Sequence, residues 1–422
     1  MRCGTLLTRA SARSSRRRPP LRRRDGVSPE RKPSLTPEEA RRLHHEALVI
    51  DAQQPPVING FLFTDRMKAA VAAYARQGLG RDEVAPHMAV LAAQEMQTSA
   101  AARQQYLDLW RRSGVTVACG TFSGAHRSTG AFDRAVESIS RAYAFAHALG
   151  GDLAICRDAG EIERTHRDRR HGIVLDFQNT TPIGDDLDRV GYFYNLGVRM
   201  IQLTYNLRNL VGDGCTEAHQ SGLSYFGREM VRCLNASRIL VDVSHCSEQV
   251  GWDALEVSTA PIVVSHSASK AVCYHDRGKS DELAKAVADR GGFFGVVVVP
   301  GFIAESTEAS LDDFARHVEH LVDVMGIDHV GIGTDKAGPG PGTESIVEYP
   351  ASMPRHRPGS FDWAGFRLEE HRLTPEYHLK GYDDFGDWPN LTAHLARRGF
   401  NERELRKLLG LNFLRVFRDV VG

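Results

Sequence analysis

The chain has 422 residues, 42% hydrophobic and 25% charged, which is enough apolar matter for a sizeable globular core. Lys+Arg and Asp+Glu both number 53, so no global field points to nucleic acid or an anionic membrane. The seven cysteines are scattered, with no CxxC pair and an odd total, which favours reduced thiols in a cytoplasmic protein over a disulfide framework.

The elements then follow in chain order. Residues 9–26 (RASARSSRRRPPLRRRDG) are basic, and no apolar h-region follows them, so they are not a secretory signal. Residues 1–35 are expected to be a disordered tail, and 36–422 a single domain. TPEEARRLHHEA (36–47) reads as a helix opened by a capping box, Thr36 with Glu39. Its His44 and His45 are expected to be solvated. Strand candidates are 47–53, 114–121, 172–178, 198–205, 238–245, 261–266, 293–300 and 329–335. Between them, 185–197, 280–292 and 310–326 have helical patterns. His317 and His320, at i and i+3 on the last of these, are expected at the surface. Asn235-Ala-Ser is a glycosylation sequon discounted because it precedes a buried strand. No apolar stretch is long enough to span a bilayer.

Val/Ile-rich runs without alternation are buried on both faces, as in a parallel sheet covered by helices. Eight such runs alternating with helices predict an α/β protein, a (β/α)₈ TIM barrel. The lack of a GxGxxG after the first strand weighs against a dinucleotide fold. Two connections are long. Residues 54–113 look mostly helical, and 336–387 are rich in Gly, Pro and aromatics. Both leave the end of the barrel where such folds keep their chemistry, so both suit walls or lids.

Three of the strand candidates end on polar residues: ILVDVSH on His245, PIVVSH on His266 and HVGIGTD on Asp335. Two imidazoles and one carboxylate suit a zinc ion with a position open for water. Each has a plainer reading too, as a strand-end histidine satisfying backbone groups or a carboxylate capping the next segment. Asp242, one step of period two before Ser244, is read as structural or as an orienter of a ligand.

Taken together, several runs resemble the membrane (renal) dipeptidase family of the amidohydrolase-like barrels. They are LGVRMIQLTYNLRN, GLSYFGREMVRCLNASRILVDVSH, PIVVSHS, the spaced His275, Arg277 and Asp281, VGIGTD, and GFNERELRKLLGLNFLRVF. The likeness runs from about residue 45 to the C-terminus. It implies a metal-dependent hydrolase acting on dipeptides at a two-zinc site, and it suggests a homodimer. His245, His266 and Asp335 match family ligands. Other positions depart from the pattern. The family's Asp-Gly-His-Asn-Asp is here Asp51-Ala52-Gln53-Gln54-Pro55, its bridging Glu is Gln178, and a substrate-holding His is Tyr205. Two dications about 3.5–4 Å apart repel by roughly 20 kcal/mol at an effective dielectric near 20. With one ligating carboxylate left in place of three, one ion is expected rather than two.

The resemblance then assigns the metal to His245, His266 and Asp335, with Gln178 as a weak ligand or a partner of the water. Asp335 is the expected base. Tyr205 is expected to donate to the oxyanion, Arg277 to grip a substrate carboxylate as a fork, and Asn206 to touch the substrate beside Tyr205. Alternative readings stay open: a biosynthetic enzyme working on a dipeptide-like intermediate, or a metal-free relative that binds a small molecule without catalysis.

Overall fold

Each of the eight apolar runs contributes one parallel strand. The computed structural model describes residues 35–54, 57–123, 129–338, 346–350, 352–356, 361–362 and 364–422. The basic run at 9–26, Pro55 and most of the GPGPG stretch lie outside these residues. The strands are β1 (Ile50–Asp51), β2 (Val117–Thr121), β3 (His171–Phe177), β4 (Val198–Gln202), β5 (Leu240–Asp242), β6 (Val263–Ser267), β7 (Phe293–Val296) and β8 (Val330–Ile332). They pair in sequence order, all in parallel. Two bonds join the last strand back to the first: Ala52 N–H donates to Ile332 O at 3.0 Å, and Asp335 N–H to Gln53 O at 2.9 Å.

Side-chain alternation within β3 separates two apolar regions. Ile173, Leu175 and Phe177 pack with the helices. Val174 packs with Ile50, Val117, Met200, Leu240, Val263 and Phe293, which converge from neighbouring strands as only an interior can make them. Phe413 and Phe417 of the last helix (Asn412–Val420) join that inner cluster. Asp176 and Gln178 share the inward phase of Val174, higher along the strand. The apolar floor thus gives way to polar groups toward the C-terminal end.

The predicted caps form. Thr36 and Glu39 exchange bonds of 2.8 and 3.2 Å at the start of helix Pro37–Glu46. Ser280 opens helix Asp281–Asp289, and Ser310 opens Leu311–Met325. The 185–197 pattern yields a shorter helix, Asp188–Asn195. Residues 54–113 carry three helices, Asp65–Arg76, Arg81–Thr98 and Ala100–Ser113. Two features were not expected from the sequence. Leu153–Ile155 adds an extra strand beside β3, and Glu308–Ser310 pairs in parallel with His378–Lys380. Three-residue strands are too short to show a periodicity.

Two histidine expectations are corrected. His44 is fully buried, with ring nitrogens 2.7 Å from Thr392 Oγ1 and 2.7 Å from Ser113 O, because its helix packs against Trp388–Arg397. His317 is also fully buried: its Nδ1 accepts from Ser269 N–H at 3.1 Å and its Nε2 meets Ile303 O at 3.1 Å. His320 is partly exposed and pairs with Asp281 at 2.8 Å.

Candidate metal centre

The rim above β5, β6 and β8 brings His245, His266 and Asp335 together, with one ligand atom of each within 4.8 Å of the others. All three are buried. His266 lies within β6, and His245 follows β5 by three residues. The His245 N–H is held by Gln202 Oε1 at 3.2 Å, and Ser247 caps the helix that begins at Glu248. Asp335 has φ +54, a left-handed conformation that aspartate adopts more readily than most residues. Gly333 permits the close approach of this chain to β6. A Cβ there would lie 2.1 Å from Ser265 O and 3.1 Å from the His266 Cβ.

Neighbouring groups fix the orientation of both imidazoles. Ala364 O accepts from Asn206 Nδ2 at 2.6 Å, which turns the Asn206 oxygen to His245 Nδ1 at 2.7 Å. His245 therefore carries its proton on Nδ1. Ser265 Oγ–H donates to Asp242 Oδ2 at 2.6 Å, so the same oxygen accepts from His266 Nδ1 at 2.7 Å. Asp242 also accepts from Ser265 N–H, Ser244 N–H and Ser244 Oγ, which ties the two ligand-bearing segments together. Both Nε2 lone pairs consequently face one another, 2.9 Å apart. Asp242 thus supports His266 through the Ser265 hydroxyl.

Asp335 Oδ1 is 3.8 Å from His266 Nε2, and neither carboxylate oxygen has a hydrogen-bond partner among the described residues. Burial pushes this acid up to about 8; Arg277 opposes the shift, Asp51 adds to it, and the nearby Gln178 amide opposes it again. Burial also holds His266 well below the usual histidine range, helped by Arg277 and Lys279. A divalent ion fits this set. It would take both lone pairs and the Asp335 carboxylate.

The other expected residues are placed as follows. Tyr205 lies parallel to the His245 ring with centroids 4.0 Å apart, and Phe366 stands edge-on to it. Burial raises its phenol well above the ordinary range, with Asp335 adding to the effect, so it stays protonated as a donor. Asn206 is fully buried, and its oxygen also accepts from Cys215 Sγ at 3.3 Å. Its amide thus engages Ala364, Cys215 and His245. Gln178 is buried near Asp335, with its Nε2 unpartnered among the described residues.

Arg277 is not the free fork expected. It is 1% exposed, and its terminal nitrogens donate to Ser244 O at 2.6 Å and His266 O at 2.8 Å. Its Nε–H has no partner among the described residues. Gln53 turns its amide to Thr121 Oγ1 at 2.9 Å and to Asp176, and Gln54 binds Thr334 and Lys336. Sequence reasoning missed Gln202, Ser244 and Ser265. The hydroxyl one residue before each histidine, Ser244-His245 and Ser265-His266, was the available signal.

Closed strand order and a His-His-Asp set on the C-terminal rim define an amidohydrolase-like (β/α)₈ barrel. The membrane dipeptidase family (peptidase family M19) matches residues 39–353 and 374–421, and the chain belongs to it. Dipeptidase tcpJ of Claviceps purpurea (strain 20.1) is 27% identical over 271 residues, 64% of this chain and 55% of that protein. The chain thus spans about half the length of that relative. An amidohydrolase from Pseudomonas aeruginosa has 28% identity and a TM-score of 0.67, covering 92% of this chain and 100% of that one. A metallopeptidase from Rhodobacter sphaeroides, liganded with a phosphinate mimic of L-Ala-D-Ala, shares the fold at 19% identity. Its TM-score is 0.65, over 89% of this chain and 99% of that one. The family implies a metal, typically zinc.

Proposed function

We propose that this chain is a metal-dependent hydrolase that cleaves the amide bond of a dipeptide, or of a related small amide with a free carboxylate, at a single-ion site. The observation that carries this reading is the pair of Nε2 atoms 2.9 Å apart, left as acceptors by the contacts that Asn206 and Ser265 make with Nδ1, beside the buried Asp335 carboxyl. His245, His266 and Asp335 would hold the ion, with Gln178 beside them. When bound, such an ion lowers the pKa of a coordinated water toward neutrality and polarises a carbonyl.

This chain's own groups then handle the protons. Asp335 offers two oxygens, so one can remain a ligand while the other takes the proton of the attacking water. The same oxygen returns that proton to the leaving amine. Tyr205, kept protonated by burial, donates its phenolic hydrogen to the developing oxyanion. Arg277 braces the Ser244 and His266 carbonyls, and its fixed positive charge favours a substrate that carries a carboxylate. Gln53 and Gln178 stand where the resemblance places a ligand His and the bridging Glu. Their neutral amides support one ion rather than two.

A second reading rests on the same 2.9 Å contact: a proton shared between the two rings, in a pocket that binds without hydrolysing. Metal content of the purified protein by plasma mass spectrometry separates the two. About one zinc per chain, with turnover of dipeptides, is the expected result. No metal, together with full thermal stability in chelator, would sink the hydrolase.

A further inference from the structure

At the opposite end of the barrel, ahead of β1, β2 and β3, lies a cleft of about 410 Å³. Four arginines line it, Arg111, Arg167, Arg169 and Arg170, against one acid, Glu46. His45, His166 and His171 also line it. Some of this charge is answered locally. Arg111 pairs with Asp108 at 3.1 Å, and Arg167 with Asp168 at 3.6 Å. Arg170 donates to the Gly151 carbonyl, and Arg169 makes no side-chain hydrogen bond or ion pair among the described residues. Arg169 holds φ +53 in the turn that ends helix Ala159–Arg167, where its N–H donates to His166 O at 3.0 Å.

The histidines register the resulting field. Burial lowers His166 first, and then Arg406 and Arg169 press it lower; on His171 burial lowers first, the Val115 carbonyl and Asp152 oppose it, and Arg111 adds to it. Like charges have been gathered in a concave place without carboxylates to balance them all, which costs stability unless an anion is present. The volume suits a small molecule. Guanidinium forks match phosphate oxygens in pairs.

We infer that this cleft binds a free phosphorylated small molecule, at a site separated from the metal centre by the length of the barrel strands. A concave pocket is a poor seat for a flat bilayer, so a soluble phosphate is the occupant rather than a lipid headgroup. This inference does not depend on the hydrolase reading.

The test is calorimetric titration of the full chain with inorganic pyrophosphate at about 0.15 M salt, where exposed charges are screened beyond about 8 Å. Saturable binding is expected, weakened tenfold or more in Arg169→Asn, since asparagine tolerates the left-handed backbone. Arg167→Gln, at an exposed position with ordinary backbone, should weaken it as well. The metal content of both variants should match wild type. Absence of saturable heat, or wild-type affinity in both variants, overturns the proposal. So does sedimentation with anionic phospholipid vesicles in a protein that ignores pyrophosphate.

Discussion

His245 and His266 present Nε2 to each other at 2.9 Å, and each ring spends its Nδ1 hydrogen on a different support, Asn206 for one and Ser265 for the other. Two neutral imidazoles so constrained have no hydrogen to place between them. Burial makes protonating His266 costly, so a cation that accepts both lone pairs relieves the contact better than a shared proton does. Such an ion also answers Asp335, whose buried carboxyl otherwise has only the Gln178 amide nearby.

Removing one ring should therefore abolish the metal as well as the chemistry. For His266→Ala, zinc content near zero and loss of dipeptide hydrolysis are expected, measured by mass spectrometry and turnover. In wild type, zinc at about a thousand times its dissociation constant should add about 4 kcal/mol of stability, and chelator should remove it. Unchanged turnover in the variant would refute the role given to His266.

The Asp242–Ser265–His266 chain predicts a subtler defect. Ser265→Ala leaves His266 in place but frees its Nδ1, so the ring can turn or change tautomer. Zinc affinity should fall by about 10- to 100-fold, the usual effect of losing such a support. Ser265→Thr, which keeps the hydroxyl, should restore it. Cobalt substitution gives a readout that is independent of activity, because the visible spectrum reports ligand geometry. An identical spectrum and affinity in Ser265→Ala would reduce the chain of bonds to packing.

Much of this was legible in the sequence, and the reasons are physical. Runs such as ILVDVSH and PIVVSH announce buried parallel strands because both faces are apolar, and His245 and His266 stand out where those runs stop. Asp335 follows from the same rule. What the sequence conceals is direction. Nothing in YHDRGKSDE shows that Arg277 turns inward to two carbonyls, and nothing in TYN shows that Asn206 backs His245. His44 and His317 were misjudged because helical position reveals a face only after the neighbouring helix is known. Their partners, Thr392 and Ser269, lie 348 and 48 residues away.

Tyr205 supplies a test of the chemistry separate from the metal. In Tyr205→Phe the ring still stacks on His245, but the donor is gone. If the phenol meets the oxyanion, kcat should drop about 10²- to 10³-fold, the usual cost of one such donor, with KM and zinc content little changed. A wall residue would show the reverse pattern, a KM effect with kcat preserved.

Three buried histidines contribute to the acid limb of stability. Burial holds His44 and His275 down to about 3 and His317 to about 4, against 6.5 for a free imidazole. These native values lie below the unfolded one, so the unfolded chain takes up protons first as pH falls. Stability from these three groups should be level above about pH 6.5 and decline from there toward pH 3–4, where the native forms begin to titrate. Each unit of difference is about 1.4 kcal/mol, so each site contributes a slope worth a few kcal/mol across that window. His317→Gln isolates one of them, since an amide can still accept from Ser269 N–H and donate to Ile303 O without titrating. Urea unfolding at pH 7 and pH 4.5 should show a smaller loss in the variant than in wild type. An equal loss in both proteins would mean that His317 gains water before the chain unfolds, and that the acid limb belongs to other groups.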